Sequence, residues 1–203
     1  MENNLDYYLI ESDQAYQSPS LMRDNDRDDV GLKYLRQGIK VEDNHITYLT
    51  FNPPFPKKPD MVDYHFCECR AVFSKKIYDI LKTTEIKGLQ LVSCIIHSNK
   101  GVEYNDYWVA NILQEYAFLD TEKSERKGTI NENGRWGMVL SMVLNKEEVL
   151  KVSLEERLTF VMRECPGYVL YHKTVVDLIM SINPVGIKFI HINDWYNGVR
   201  PKQ

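Results

Sequence analysis

The sequence has 203 residues, of which 43% are hydrophobic and 27% are charged, and its formal net charge is −4. This length allows one substantial core, and this composition excludes the class of disordered chains that combine low hydrophobicity with high charge. The opening MENNLDYYLIESD has neither a basic region nor a long apolar run, so we expect no secretory signal. The longest nearly uncharged stretch, 136–145, is about half of the ~20 residues that a membrane-spanning helix needs, so we expect no membrane partner.

Cysteine usage indicates a reducing compartment. The four cysteines are too few and too irregularly spaced for the disulfide framework of a small secreted domain: Cys67, Cys69, Cys94 and Cys165. We therefore expect free thiols and a cytoplasmic location.

The first 60 residues predict two strands separated by polar segments. Aromatic and β-branched residues at 7–11 and alternation at 45–50 are typical of strands, whereas 21–31, LMRDNDRDDVG, predicts a surface loop. Four prolines within 52–60, NPPFPKKPD, exclude a helix or a central strand there. This segment is the candidate internal boundary, and residues 1–60 either pack on the rest or form a mobile lobe.

The middle of the chain gives the clearest pattern. Ser74 is expected to cap a helix over 75–84, Gly88 closes that helix, and strands follow at 89–97 and 107–113. A further strand is predicted over 61–73.

The last third combines loops, strands and helices. A long exposed loop is predicted over 117–135, a strand over 136–144, mixed structure over 146–161, a helix over 171–182 and a last strand from Gly186. No internal repeat is found. The pattern predicts an α+β fold with a mixed, mainly antiparallel sheet flanked by a few helices, in a single domain over 1–203.

Most motifs that carry chemistry are missing. The ten glycines match no phosphate-binding spacing, so no cofactor is expected. On a regular strand, Asp63, His65, Cys67 and Cys69 would share one side, but zinc sites normally use ligands paired within a turn. Buried structural thiols beside a partly exposed histidine are the simpler interpretation, and a metal or catalytic site near these residues stays open.

A dispersed catalytic site is the other open alternative. All five histidines are isolated in sequence, and no nucleophile-elbow pattern surrounds a serine. They are His45, His65, His97, His172 and His191.

Acidic residues are concentrated near the N-terminus, where residues 1–30 hold eight acids against two arginines. We predict that Asp24, Asp26, Asp28 and Asp29 bind a basic protein partner, because clustered charge steers association. A merely solvated loop is the simpler alternative. The same acidity, with no compensating basic stripe, argues against nucleic acid as a partner.

The run 104–124, YNDYWVANILQEYAFLDTEKS, carries a family resemblance together with the preceding FSKKIYDIL and GLQLVSCII segments and the final GIKFIHIND. The order of these segments over about 70–195 resembles a bacterial family first catalogued as a domain of unknown function and later grouped with immunity proteins of polymorphic toxin systems. Its matching residues include Leu119, Asp120, Glu122 and Ser124.

This resemblance implies a protein that binds and neutralises a cognate toxin by occlusion, without catalysis. No catalytic residues are carried over from it. We expect Tyr107 and Trp108 to pack into the sheet, and Asp120 and Ser124 to cap a turn or helix. The alternatives are a hydrolase-like enzyme with a dispersed site around an isolated histidine, and a scaffold or oligomerising protein.

Overall fold

The computed structural model describes residues 5–27, 31–68 and 70–198, with the side chains of Gly31 and Leu32 excepted. Within these residues lie the following strands and helices: β1 Tyr7–Ser12, β2 Leu21–Arg23, α1 Gly31–Arg36, β3 Ile46–Phe51, β4 Tyr64–Cys67, β5 Arg70–Ser74, α2 Lys75–Lys82, β6 Leu89–His97, β7 Glu103–Ile112, β8 Glu115–Tyr116, β9 Glu125–Ile130, β10 Trp136–Ser141, α3 Lys146–Leu150, β11 Thr159–Met162, β12 Val169–His172, α4 Lys173–Met180 and β13 Ile187–His191.

The strands form a closed barrel, an open sheet and a hairpin. The barrel has the order β2-β3-β6-β7-β5-β4, the five-stranded sheet has the order β13-β1-β12-β11-β8, and β9 pairs with β10. Most neighbours are antiparallel, and the parallel pairs are β2 with β4, β3 with β6, and β8 with β11. The predicted α+β class with mixed, mainly antiparallel sheets is confirmed.

Three apolar clusters fill this architecture. One lies inside the barrel around Leu49 and Val109, and one lies around Phe160 and Trp195 in the five-stranded sheet and the C-terminal segment. The third joins the barrel to the sheet through α2 and α4, with Ile77 fully buried among its members. None of the helices in the described residues is long and apolar enough to cross a membrane.

The barrel and the open sheet share one topology. Each contains a β-hairpin followed by a helix and a strand, namely β4-β5-α2-β6 in the barrel and β11-β12-α4-β13 in the sheet. In each unit, one further strand lies between the second strand of the hairpin and the last strand: β7 in the barrel and β1 in the sheet. A strand parallel to the first strand of the hairpin completes each unit, namely β2 in the barrel and β8 in the sheet. The order β2-β4-β5-β7-β6 thus matches β8-β11-β12-β1-β13. The two units therefore share a strand topology although no internal repeat is found in the sequence.

Sequence details support this duplication, although overall similarity between the halves is slight. The segments from β5 to β6 and from β12 to β13 align without a gap, and each helix begins with a lysine bonded to an aspartate one turn later. Lys75 bonds Asp79 at 2.8 Å, and Lys173 bonds Asp177 at 2.7 Å. The feature that the two helices share is an ion pair between residues four apart, which stabilises a helix by only a few tenths of a kcal/mol. Such a pair gives little periodic signal in the sequence.

The inserted strands also share a short sequence, with Asp-Tyr-Tyr at 6–8 at the start of β1 and Asp-Tyr-Trp at 106–108 within β7. Tyr8 pairs with His191 of β13, as Trp108 pairs with Ser93 of β6, at equivalent positions of the two units. The two strands come from distant parts of the chain. In the second unit, β1 comes before the other strands in the chain. It nevertheless occupies the position in the sheet that β7, which follows the other strands of its unit, occupies in the first.

Three segments differ from their predicted structure. The expected loop over 21–31 contains β2, whose Leu21 is only 1% exposed. The expected loop over 117–135 contains β9, which is exposed along its whole length. The expected helix over 171–182 begins only after β12. Short strands such as β2 carry too few residues for a period to be visible, and their neighbours in space fix them.

The predicted strand over 61–73 is in fact the hairpin β4–β5. Its turn contains Glu68 in the left-handed region with φ 41, and Cys69 lies outside the described residues. Asp63 precedes the hairpin and accepts a 2.6 Å hydrogen bond from the hydroxyl of Ser74. Ser74 occupies the predicted cap position of α2, but its hydroxyl is used in this bond instead of in the cap.

The residues that carry the family resemblance act as expected from it. Tyr107 is buried and donates a hydrogen bond to the carbonyl of Val62, and Trp108 stacks on Tyr78 of α2 at 4.1 Å. Asp120 accepts the backbone N–H of Glu122 and Lys123 in a turn. Ser124 ties the end of that turn to the backbone of Val143.

A glycine substitution tests the close approach between the halves. Gly186 has φ +80, and a Cβ there would lie 2.4 Å from Cγ2 of Val62, whereas Gly101 has φ +77 and open space around it. We expect Gly101→Ala to lower the free energy of unfolding by about 1–2 kcal/mol through backbone strain alone. Gly186→Ala should lower it by about 1–3 kcal/mol more, because overpacking is added. Denaturant titration measures both, and equal losses would contradict the crowding.

Candidate functional site

A groove lies between the two halves, formed by two adjoining cavities of about 670 and 470 Å³ that share Arg70 and Gly167. The equivalent hairpins β4–β5 and β11–β12 both contribute to it. Phe66 and Val161 are equivalent positions, as are Arg70 and Tyr168, and all four line it. Cavities between structural units are the usual places for binding sites, so this groove is the leading candidate.

The larger cavity is basic. Five cationic side chains line it against two carboxylates: Arg23, Lys33, Arg36, Arg70 and Arg135 against Glu68 and Glu115. Glu68 is bonded to Arg36 at 3.0 Å, and Glu115 is bonded at 3.3 Å to Arg163 outside the cavity lining. Lys33 and Arg135 are exposed and form no ion pair with any residue that the structure describes. A chain of net charge −4 thus has a locally positive groove.

Arg70 lies where the two cavities meet. Its side chain is almost completely buried, and it donates hydrogen bonds to the carbonyls of Leu35 at 3.3 Å and Arg36 at 2.7 Å. These carbonyls are at the end of α1, where a helix carries partial negative charge. Arg70 therefore holds α1 against the hairpin and keeps a cation at the junction of the cavities.

The smaller cavity is aromatic. Six aromatic side chains line it: Tyr64, Phe66, Tyr168, Tyr171, Trp195 and Tyr196. Tyr171 is 1% exposed, and its hydroxyl has no hydrogen-bond partner among the described residues. Burial raises the pKa of Tyr171, and the nearby charge of Arg70 opposes that rise. The hydroxyl therefore stays a donor at neutral pH, and leaving it unpaired costs about 1–3 kcal/mol.

The predicted acidic site borders this groove. Asp24 and Asp26 form a turn next to Asn25, which lines the larger cavity, whereas Asp28 and Asp29 lie outside the described residues. Asp26 is exposed. Asp24 is mostly covered: one carboxylate oxygen accepts the N–H of Asp26 at 3.2 Å, and the other lies 3.3 Å from Nδ1 of His97 without hydrogen-bond geometry.

His97 connects the acidic turn to Glu103, which also contacts Arg27. Its Nε2 lies 2.8 Å from Glu103, and Arg27 lies 3.3 Å from the same carboxylate. Hydrogen bonds from His97 and Arg27 hold the pKa of Glu103 below its usual value. Part of the negative charge near this turn is therefore balanced by neighbouring bases.

The structure places His65 and Cys67 in the barrel wall, both fully buried. His65 Nδ1 lies 2.9 Å from the hydroxyl of Ser18 and 3.1 Å from the carbonyl of Pro19, so a serine does meet a histidine here. The remaining ring nitrogen, Nε2, has no hydrogen-bond partner among the described residues. A triad needs an acidic group at that nitrogen to orient the ring, and none of the described carboxylates supplies it.

The arrangement around these residues does not gather metal ligands either. Asp63 is turned away toward Ser74 and accepts the N–H of Val185 at 2.9 Å. In the part of the chain that the structure describes, no three His, Cys, Asp or Glu side chains are grouped so that they could hold a metal ion. Cys67, Cys94 and Cys165 are buried, and burial raises the pKa of Cys165 to about 12, which keeps its thiol protonated.

Sequence reasoning did not find the groove. Its cations lie in β2, in α1, at the start of β5 and in the turn before β10, and no recognisable motif contains them. The aromatic side chains lie in β4, in β12 and the turn before it, and in the C-terminal segment. Only the pairing of the hairpins brings these segments together, so no local pattern could have predicted them.

Burial of His65 predicts a stability loss in weak acid. Burial lowers the pKa of His65 to about 4 from an ordinary 6.5. Between these values the unfolded chain binds a proton that the folded chain excludes, so stability falls as pH falls. We expect the free energy of unfolding to drop by about 3 kcal/mol more in the wild type than in His65→Gln between pH 7 and pH 4.

Denaturant titrations at several pH values measure this difference, and the carboxylates common to both proteins cancel in it. Parallel curves for the two proteins would show that His65 is protonated in the folded state.

The chain matches the model of one protein family, described as Immunity protein family (Imm11), over residues 4–194. A search of curated proteins finds no match.

Proposed function

Since the chain belongs to the Imm11 immunity protein family, we propose that it binds a cognate toxin in the cytoplasm and neutralises it by covering the toxin's active surface. The match over residues 4–194 is the observation that carries this proposal, because it spans both halves of the fold. We propose also that residues 1–203 act as one domain. Strands from both sides of the proline-rich segment 52–60 pair in the barrel, which supports this view.

Neutralisation without catalysis is part of the proposal. The best-placed histidine, His65, is fully buried, its neighbour Ser18 is only partly buried, and the pair lacks an orienting acid among the described residues. Burial lowers the pKa of His65 to about 4 and leaves it neutral at pH 7, but the ring has no open side toward a substrate. Binding alone would then inhibit the toxin in a fixed ratio.

One observation favours the scaffold alternative. A cavity of about 630 Å³ on the barrel surface is lined by apolar side chains that are about 40% exposed, including Tyr34, Ile39 and Ile46. Exposed apolar patches of this kind often cover one another in oligomers. Light scattering of the purified chain decides this alternative: a stable oligomer that Ile39→Lys disperses would support it.

Co-expression with a candidate toxin gene, sought among the genes adjacent to the one that encodes this chain, tests the proposed function. We expect host survival, co-purification of the two proteins, and inhibition that is complete at a fixed molar ratio. Ser18→Ala should rescue as well as the wild type, because the Ser18 hydroxyl makes only structural bonds, to the ring of His65 and to the carbonyl of Tyr64. Rescue by trace amounts of the wild type, lost in Ser18→Ala, would instead favour an enzyme.

The acidic loop gives a kinetic prediction. We propose that Asp24, Asp26, Asp28 and Asp29 attract a basic region of the toxin, so replacing all four by serine should slow association about tenfold at low salt and weaken its salt dependence. Serine can keep the turn, because its hydroxyl also accepts backbone N–H groups.

The control removes four exposed acids elsewhere, Glu42, Glu85, Glu122 and Glu132, with the same change in net charge. Stopped-flow or biosensor measurements give the rates. Equal rates for the loop variant and this control would remove the loop from the proposed contact.

A further inference from the structure

We infer that the groove between the two halves receives an acidic polypeptide segment of the toxin, with its carboxylates in the basic cavity and an aromatic or aliphatic side chain in the aromatic cavity. This inference rests on the proposed function and names the surface and the chemistry that would perform it.

The positive charge of the groove favours an anionic ligand. Lys33 of α1 and Arg135 of the turn before β10 both line it, and neither has an ion-pair partner among the described residues. The guanidinium of Arg70 is already fixed by hydrogen bonds to two carbonyls. Arg70 would therefore lose little further side-chain freedom when a ligand binds in the groove. A carboxylate between these groups would gain charge-assisted hydrogen bonds in a partly desolvated site.

The aromatic cavity calls for an apolar group directly beside that charge. Trp195 and Phe66 line it, and Phe66 is 44% exposed although it belongs to a strand of the barrel. Aromatic side chains that stay exposed in a recess are typical anchors for a partner side chain. The two cavities meet at Arg70, so one short segment can occupy both.

The unpaired hydroxyl of Tyr171 adds a polar requirement. It is buried beside the aromatic cavity and close to Arg70, and no described group accepts its proton. A backbone carbonyl or carboxylate of a bound segment would accept it. The free protein tolerates the unpaired donor, and the complex would satisfy it.

The surroundings favour a polypeptide over a nucleic acid. The acidic turn with Asp24 and Asp26 borders the basic cavity, and the chain as a whole is negative. A nucleic acid carries charge along its whole backbone and would meet these acids as it leaves the groove. A protein segment carries its negative charge only locally, and basic residues flanking it would match the acidic turn.

Charge reversal tests the inference in the full-length chain. The probe is the toxin domain from the co-expression test, inactivated by mutation, and calorimetry measures its affinity. We expect Lys33→Glu with Arg135→Glu to weaken binding at least about a hundredfold. The control, Lys57→Glu with Lys146→Glu, reverses the same charge at exposed sites outside the groove and should bind like the wild type.

Tyr171→Phe is the second variant, because a merely structural hydroxyl would not respond as we expect. Removing an unpaired buried hydroxyl should leave the melting temperature unchanged or higher, while toxin binding weakens about fivefold or more. Unchanged affinity in this variant would overturn the role of Tyr171.

The outcomes separate the two proposals. A wild-type chain that neither rescues the host nor binds the toxin domain overturns the proposed function. A wild-type chain that binds while the groove variant binds equally well overturns only the groove. Binding of a mixed-sequence 12-nucleotide RNA, lost in the groove variant and retained in the control, would also overturn it in favour of a nucleic-acid site.

Discussion

Strand β1 closes the second half of the molecule, and much of the remaining structure depends on its pairing. It lies between β12 and β13 and forms backbone hydrogen bonds with both, so the beginning of the chain holds the end in place. Without it, β13 would have no neighbour in the sheet and β12 would expose an unpaired edge. Tyr7 strengthens the closure, because its hydroxyl bonds the buried Arg157 through both the guanidinium and the carbonyl.

The duplicated topology explains why the groove has two different cavities. Two similar units pack through α2 and α4, so their equivalent hairpins meet across one cleft. Equivalent positions have acquired different chemistry, as Arg70 on one side and Tyr168 on the other illustrate. Of the two cavities in this cleft, one therefore offers charge and the other offers aromatic surface.

The family relationship and the electrostatics of the surface belong together. A protein that neutralises a partner by contact needs a preformed surface with a specific pattern, because affinity depends on buried anchors and matched charges more than on area. The groove and the neighbouring acidic turn have opposite charges within a short distance. Such a pattern favours one orientation of a partner and disfavours others.

The sequence by itself determined several of the elements and the family. Strand β6 was predicted with its observed bounds, and α2, β1 and β13 were located within a residue or two, because long apolar periods and capping residues act locally. The DYW segment and its neighbours were sufficient to indicate an immunity protein. The acid-rich composition near the N-terminus indicates a charged cluster that includes Asp24 and Asp26.

Only the tertiary structure decided the rest. The short strands β2 and β9 have no period of their own and exist because a neighbouring strand supplies their hydrogen bonds. The shared topology of the two units is not visible in the sequence, because strand pairing and register are retained when side chains change, provided that each position stays buried or exposed. The groove is lined by Lys33, Arg70 and Arg135, which are far apart in the chain, and only the packing of these distant segments brings them to one cavity.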